Sequence, residues 1–186
     1  MTRYNLLTPD GWHVIKPELY RTFSILSTEL VPCIRAYAID RDTGGYDVVS
    51  VFDYGPWENS FFNELKVELN NLAKNPYKTA GINDYIEENA QDYAVKRTNY
   101  MEPLFYKSST FCGMPCFINI MKIITNVGKS YSLQAYFKVD GNCLCFGTSA
   151  SKIDEENPFN SIITENPFIS DMFYELIKKL APDNND

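Results

Sequence analysis

A chain of 186 residues with 45% hydrophobic side chains can fill one core but not two, so a single domain over 1–182 is expected, followed by a disordered polar tail at 183–186. Seventeen basic against twenty-four acidic side chains leave a formal charge of −7 and no Lys/Arg-rich stripe, which argues against nucleic acid, because phosphate backbones are bound by clustered cations. Apolar runs are short, and residues 1–9 lack a basic start followed by an apolar stretch, so neither export nor a membrane span is expected, and a cytoplasmic location is.

Residues 4–7 and 12–15 favour strand and flank Thr8-Pro9-Asp10-Gly11, which supplies turn chemistry. Segments 33–39 and 46–54 are rich in Ile, Val, Tyr and Phe, and Asp42-Thr43-Gly44-Gly45 between them predicts a hairpin. A helix is expected from Pro56 to about Lys74, where Phe62, Leu65, Leu69 and Leu72 recur on one face; Asn75-Pro76 stops it. A second helix over 83–95 would turn Ile86 and Ala90 inward, with Tyr93 or Ala94, and gather Asp84, Glu87, Glu88 and Asp92 on a wet, acidic face.

Beyond residue 104 the pattern returns to β, with strands expected at 105–112, 116–125, 131–139 and 142–148. In the third of these, Tyr131, Leu133, Ala135, Phe137 and Val139 alternate with Ser132, Gln134, Tyr136 and Lys138, the period of a sheet with one covered face. Turns at 126–129 and at Asp140-Gly141 make the set an antiparallel meander. Glu-Asn-Pro-Phe then occurs at 156–159 and again at 165–168, placing Asn157 and Asn166 as caps of helices that begin at Pro158 and Pro167. The later helix carries Ile169, Met172, Phe173, Leu176, Ile177 and Leu180 on one side, to lie on the sheet. The whole order predicts an α+β fold: an antiparallel β-sheet, hairpin plus C-terminal meander, with helices packed on it.

Little in the chain points to catalysis. His13 is the sole histidine and sits between Trp12 and Val14 in a strand, where an exposed or structurally bonded role is expected. The five cysteines are odd in number and fall largely in apolar strands; Cys112 and Cys116 lack redox spacing, and Cys143 and Cys145 share one strand face, so reduced core thiols are expected rather than a metal site. No glycine-rich phosphate loop occurs. The carboxylate runs Glu87-Glu88 and Asp154-Glu155-Glu156 are flanked by polar residues, a solvated setting that leaves no desolvated general acid. Accordingly no catalytic residue, metal or cofactor is expected. Thirteen tyrosines, with Trp57 heading the first long helix beside Phe61 and Phe62, suggest instead an aromatic, acid-rimmed contact surface for a protein partner, made of Trp57, Phe61, Asp84, Glu87, Glu88 and Asp92.

Three stretches carry a resemblance: Leu7-Thr8-Pro9-Asp10-Gly11-Trp12, an early proline-glycine-tryptophan turn; Phe111-Cys112-Gly113-Met114-Pro115-Cys116, a glycine-plus-small-residue strand entry; and 131–146 followed by the closing helix at 169–180. Together they resemble the PsbP-like superfamily, which includes a photosystem oxygen-evolving subunit, a Ran-binding import relative and bacterial effector chaperones. The segments 18–30 and 75–103 exceed what compact members need, so a binding surface there would be reshaped. Because that superfamily is mostly non-enzymatic, the resemblance implies a binding protein, a step by analogy of fold. The expectation is a cytoplasmic protein-binding module, either a toxin-neutralising immunity protein facing a basic toxin or a secretion-effector chaperone holding an apolar helix. Two alternatives stand beside it: a small-ligand carrier or enzyme with a pocket between sheet and helices and Cys112 or Cys116 as its thiol, and a structural subunit of a phage or surface assembly.

Overall fold

The computed structural model describes residues 4, 6, 8–19, 21–23, 30–40, 42, 44, 46–58, 60–76, 98–111, 114–125 and 128–165. In chain order these form β1 (His13–Ile15), a short 3-10 turn (Pro17–Leu19), β2 (Arg21–Phe23), β3 (Leu30–Asp40), β4 (Tyr46–Pro56), α1 (Phe61–Lys74), β5 (Thr98–Phe111), β6 (Met114–Thr125), β7 (Gly128–Val139), β8 (Asn142–Ala150) and α2 (Pro158–Glu165). Seven strands stand side by side in the order β1-β3-β4-β8-β7-β6-β5, all pairings antiparallel, and β2 pairs with the first residues of β3. The expected α+β class holds, with sheet dominant: both the hairpin (β3, β4) and the meander (β5 to β8) are present, and β4 and β8 join them. Among the described residues no helix is long and apolar enough to cross a membrane.

The turn between β7 and β8 follows directly from its two residues. Asp140 and Gly141 both take positive φ, 47° and 77°, which a two-residue hairpin loop requires to match the twist of its strands, and Val139 pairs with Asn142 across it.

Side chains alternate across the strands, so register decides which rows face each way. Val51, Phe146, Ala135 and Ile118 line up on one side; Phe52, Cys145, Tyr136 and Phe117 line up on the other. The first side is covered by Tyr4, Leu6 and Trp12 from the N-terminus and by Ile153, Phe159 and Ile162 around α2; this is the α2 face. The second packs against Leu65 and Leu69 of α1; this is the α1 face. Here the single covered face expected for β7 is corrected, because Tyr136 lies on the supposedly open side and is buried beneath the aromatic residues of α1.

Four other boundaries differ from expectation. Tyr4 and Leu6 are not in a strand, and β1 pairs with β3; Leu6 is instead fixed by its carbonyl, which accepts the Tyr37 hydroxyl at 3.1 Å. The turn that follows is as expected, closed by Trp12 N–H to Pro9 O at 3.1 Å. β4 continues through Pro56, which pairs with Asn142, and α1 begins only at Phe61, because Trp57 N–H is taken by Gly141 O at 2.8 Å. β5 starts at Thr98, not near 105: Pro103 is accommodated because, among the described residues, β5 is the last strand of the sheet, and a register shift falls between Pro103 and Phe105. Within 18–30, the 3-10 turn and β2 occupy part of what read as an insertion. α2 begins at Pro158 as its proline predicts. The helices expected at 83–95 and 167–180 and the tail at 183–186 lie outside the described residues.

Candidate functional site

The α1 face carries the aromatic residues singled out by sequence. Where β4 hands over to α1, Tyr54, Trp57, Phe61 and Phe62 meet Phe117 of β6 and Tyr136 of β7. Ring centroids are 4.5 Å apart for Trp57 and Phe62, 5.1 Å for Phe61 and Phe62, 5.4 Å for Phe62 and Phe117, and 5.8 Å for Phe61 and Tyr136. Most are edge-to-face or tilted, the arrangement ring quadrupoles favour. Lys138 Nζ lies 5.9 Å over the Trp57 ring. Trp57 and Phe61 are therefore half-buried packing residues, turned toward the sheet more than toward water. Asp84, Glu87, Glu88 and Asp92 lie outside the described residues.

What α1 offers to solvent is different. Asn63, Glu64, Val67, Glu68 and Asn71 are exposed, and Val67, at 56% exposure, is the most exposed large apolar side chain among the described residues. At helical spacing, positions 64, 67, 68 and 71 fall on one side of the helix, so the aliphatic Val67 has Glu64 three residues before it, with the exposed Lys74 two turns on. Glu64 and Glu68 are thus carboxylates other than Asp84, Glu87, Glu88 and Asp92, which the sequence reading joined to the aromatic residues and which lie outside the described residues.

The thiols are held in the core. Cys33, Cys116, Cys143 and Cys145 are free and buried, and Cys143 and Cys145 share the α1 face as their spacing predicts. Desolvation pushes Cys116 up to about 11 and, helped by the nearby Asp53 charge, Cys143 up to about 12; Cys33 and Cys145 are raised by the same burial. Cys116, one of the two thiols named for the enzyme alternative, is buried, and burial favours its protonated form. Cys112 lies outside the described residues. His13 is exposed on β1.

Deeper on the α1 face runs a polar row. Tyr136 OH donates to Gln134 Oε1 at 2.9 Å, and the fully buried Asn119 donates to the same oxygen at 3.4 Å. Burial raises the Tyr136 hydroxyl well above its ordinary range, so it serves as a fixed donor.

The opposite face holds an ion cluster that sequence reading missed. Lys122 Nζ lies 2.8 Å from Glu155 Oε2, Lys129 Nζ lies 3.3 Å from Glu155 Oε1, and the buried Tyr131 hydroxyl donates to that same oxygen. Glu102 stands 3.8 Å from Lys122 and accepts from Tyr100 at 2.8 Å. Hydrogen bonds from Lys122 and then Tyr131 hold the Glu155 carboxyl down at about 2, from 4.5. The cluster pins the segment between β8 and α2, which is also fixed by Ser161 Oγ accepting from Asp154 N–H at 2.8 Å. A signal for it existed. Lys122 follows the inward Ile118 and Ile120 at the same two-residue spacing on β6, and a lysine in that position calls for a partner anion.

Because the folded carboxyl titrates below its ordinary value, its stabilisation is complete above about pH 4.5 and disappears as pH falls through about 2. Glu155→Gln is expected to cost about 1 kcal/mol at pH 7, less than the full shift implies because the carboxylate is about one-third exposed and screened. Urea unfolding at pH 7 and again near pH 2 checks this: the difference between variant and parent should shrink markedly at the lower pH, where the folded carboxyl is about half protonated.

Neither a comparison with protein-family models nor one with curated proteins finds a match for this chain.

Proposed function

We propose that this chain is a non-catalytic cytoplasmic module that binds another protein, and that it acts as a toxin-neutralising immunity protein. The observation that carries the reading is the outward side of α1, where Glu64, Val67 and Glu68 are all exposed, on a chain of net charge −7. An acidic face of this kind accelerates encounter with a basic partner and gives the complex a strong salt dependence. The aromatic packing beneath it stiffens the helix, which lowers the entropic cost of docking. Burial of the four described thiols turns the reading away from thiol chemistry. The resemblance to PsbP-like binding proteins points the same way.

The effector-chaperone version uses an apolar groove and tolerates salt. Tagged protein is used to capture partners from the source cell's lysate at low and at high salt, beside a Glu64→Lys/Glu68→Lys variant. A stoichiometric basic partner that is lost at high salt and in the variant is the expected result. Retention under all three conditions would replace the immunity reading by the chaperone one. An empty capture at low salt would sink both and favour the ligand-carrier alternative.

A further inference from the structure

β5 closes the sheet on one side. Its inner edge pairs with β6, and among the described residues no strand pairs with its outer edge. The first part of that outer edge is guarded: Met101 N–H donates to Pro76 O at 3.4 Å, and Pro103, which has no N–H to offer, sits beside the register shift. Beyond the shift, residues 105–111 pair with β6 without a break, from Phe105 opposite Ile120 to Phe111 opposite Met114. An uninterrupted edge of this kind presents alternate N–H and C=O groups sideways, the template on which an extended chain adds as a further strand. α1 holds the strand in place, with Tyr106 OH donating to Asn70 Oδ1 at 2.7 Å and Lys66 Nζ donating to Ser108 Oγ at 3.3 Å.

Charge selects the occupant. Lys107 is exposed on the α2 side, its Nζ 5.4 Å over the Phe105 ring, while Lys66 reaches the strand from the α1 side. Among the described residues neither ammonium has a carboxylate within ion-pair distance, although the chain as a whole is acidic. A second copy would set the same two lysines against their own images, so like charges oppose edge-to-edge dimerisation. Successive residues of an added strand face opposite sides, so neighbouring carboxylates could reach Lys107 and Lys66 respectively.

We propose that the outer edge of β5 at 105–110 is a strand-addition site for an extended acidic segment of a partner protein. Lys66 belongs to α1, but the inference needs neither the outward Glu64, Val67 and Glu68 nor the partner they would take.

The test titrates the 15N-labelled full chain with the synthetic peptide acetyl-Thr-Glu-Val-Glu-Glu-Val-Thr-amide, following backbone amide shifts. Saturable shifts centred on 105–110 are expected. Affinity should fall about tenfold or more in a Lys66→Glu/Lys107→Glu variant, and similarly for a peptide with lysine in place of glutamate. N-methylation of alternate peptide amides should abolish binding, because it leaves the charges but removes strand pairing. Absence of shifts at 105–110, or binding indifferent to N-methylation, overturns the proposal. So does a dimer of the free chain, seen by sedimentation, that dissociates when peptide is added, since the edge would then belong to a second copy. Lys107 is exposed and Lys66 half-exposed, and unchanged shifts away from β5 and α1 will show that the variant is folded.

Discussion

Cutting Phe146 back to alanine is expected to lower the unfolding free energy by about 3–5 kcal/mol, a large part of what holds a domain of this size together. Phe146 is fully buried on β8, the strand on which the hairpin and the meander join, with Val51 of β4 on one side and Ala135 of β7 on the other. Its ring lies 5.4 Å from that of Phe137 at 66°, an edge contact that the truncation removes along with the buried area. The small side chain of Ala135 beside it cannot expand into the void, so the cavity persists. Phe146→Leu keeps most of the volume and should cost about 1.5 kcal/mol or less. Urea unfolding followed by far-ultraviolet circular dichroism distinguishes the two; equal losses would mean that volume at this position is not what matters.

The second large effect concerns the seating of α1. Leu65 and Leu69, one helical turn apart, are its two fully buried residues, and they share a cluster with Phe52, Phe117, Cys143 and Cys145. Alanine at either position is expected to cost about 2–5 kcal/mol. The helix has weak support at its start, since Ser60 makes no side-chain capping bond, so packing of this apolar face supplies most of its stability. A loosened α1 should lift from the sheet before the sheet itself opens. That order has a chemical readout. Cys143 and Cys145 should then label with a thiol reagent at neutral pH about tenfold faster or more in the Leu69→Ala variant, as each 1.4 kcal/mol of lost protection is a factor of ten in the open population. Labelling that accelerates only at the urea concentration of global unfolding would show that helix and sheet open together.

The parts of the fold that were legible in the sequence are those where neighbouring residues decide the outcome. β3 and β4 announce themselves by β-branched and aromatic runs around a glycine-containing turn, β7 by its alternation, and α2 by a proline at its first position. What was not legible depends on which strand lies beside which. Pro103 reads as a strand breaker until β5 is seen to end the sheet among the described residues. Tyr136 reads as outward until α1 is known to cross that side of the sheet. Glu155 reads as one of three solvated carboxylates until the ladder brings Lys122 and Lys129 to it from two different strands. Of the six residues expected to hold a partner, Trp57 and Phe61 are half-buried where β4 passes to α1 and both pack on Phe62, while Asp84, Glu87, Glu88 and Asp92 lie outside the described residues.

The junction of β4 with β8 also governs how the chain can assemble. Each half of the sheet, β1 to β4 and β5 to β8, is built mostly from neighbours in sequence and closes over short loops. The seam is different: Thr148 Oγ1 donates to Val48 O at 2.8 Å across 100 residues of chain. Closing so long a loop costs entropy that only a nearly complete partner surface can repay, so the two halves must each gain order before the seam zips. The docking of one preformed half upon the other is then the slow event of folding, and until it occurs β4 and β8 each expose a naked strand edge through which two unfinished chains can pair instead of one.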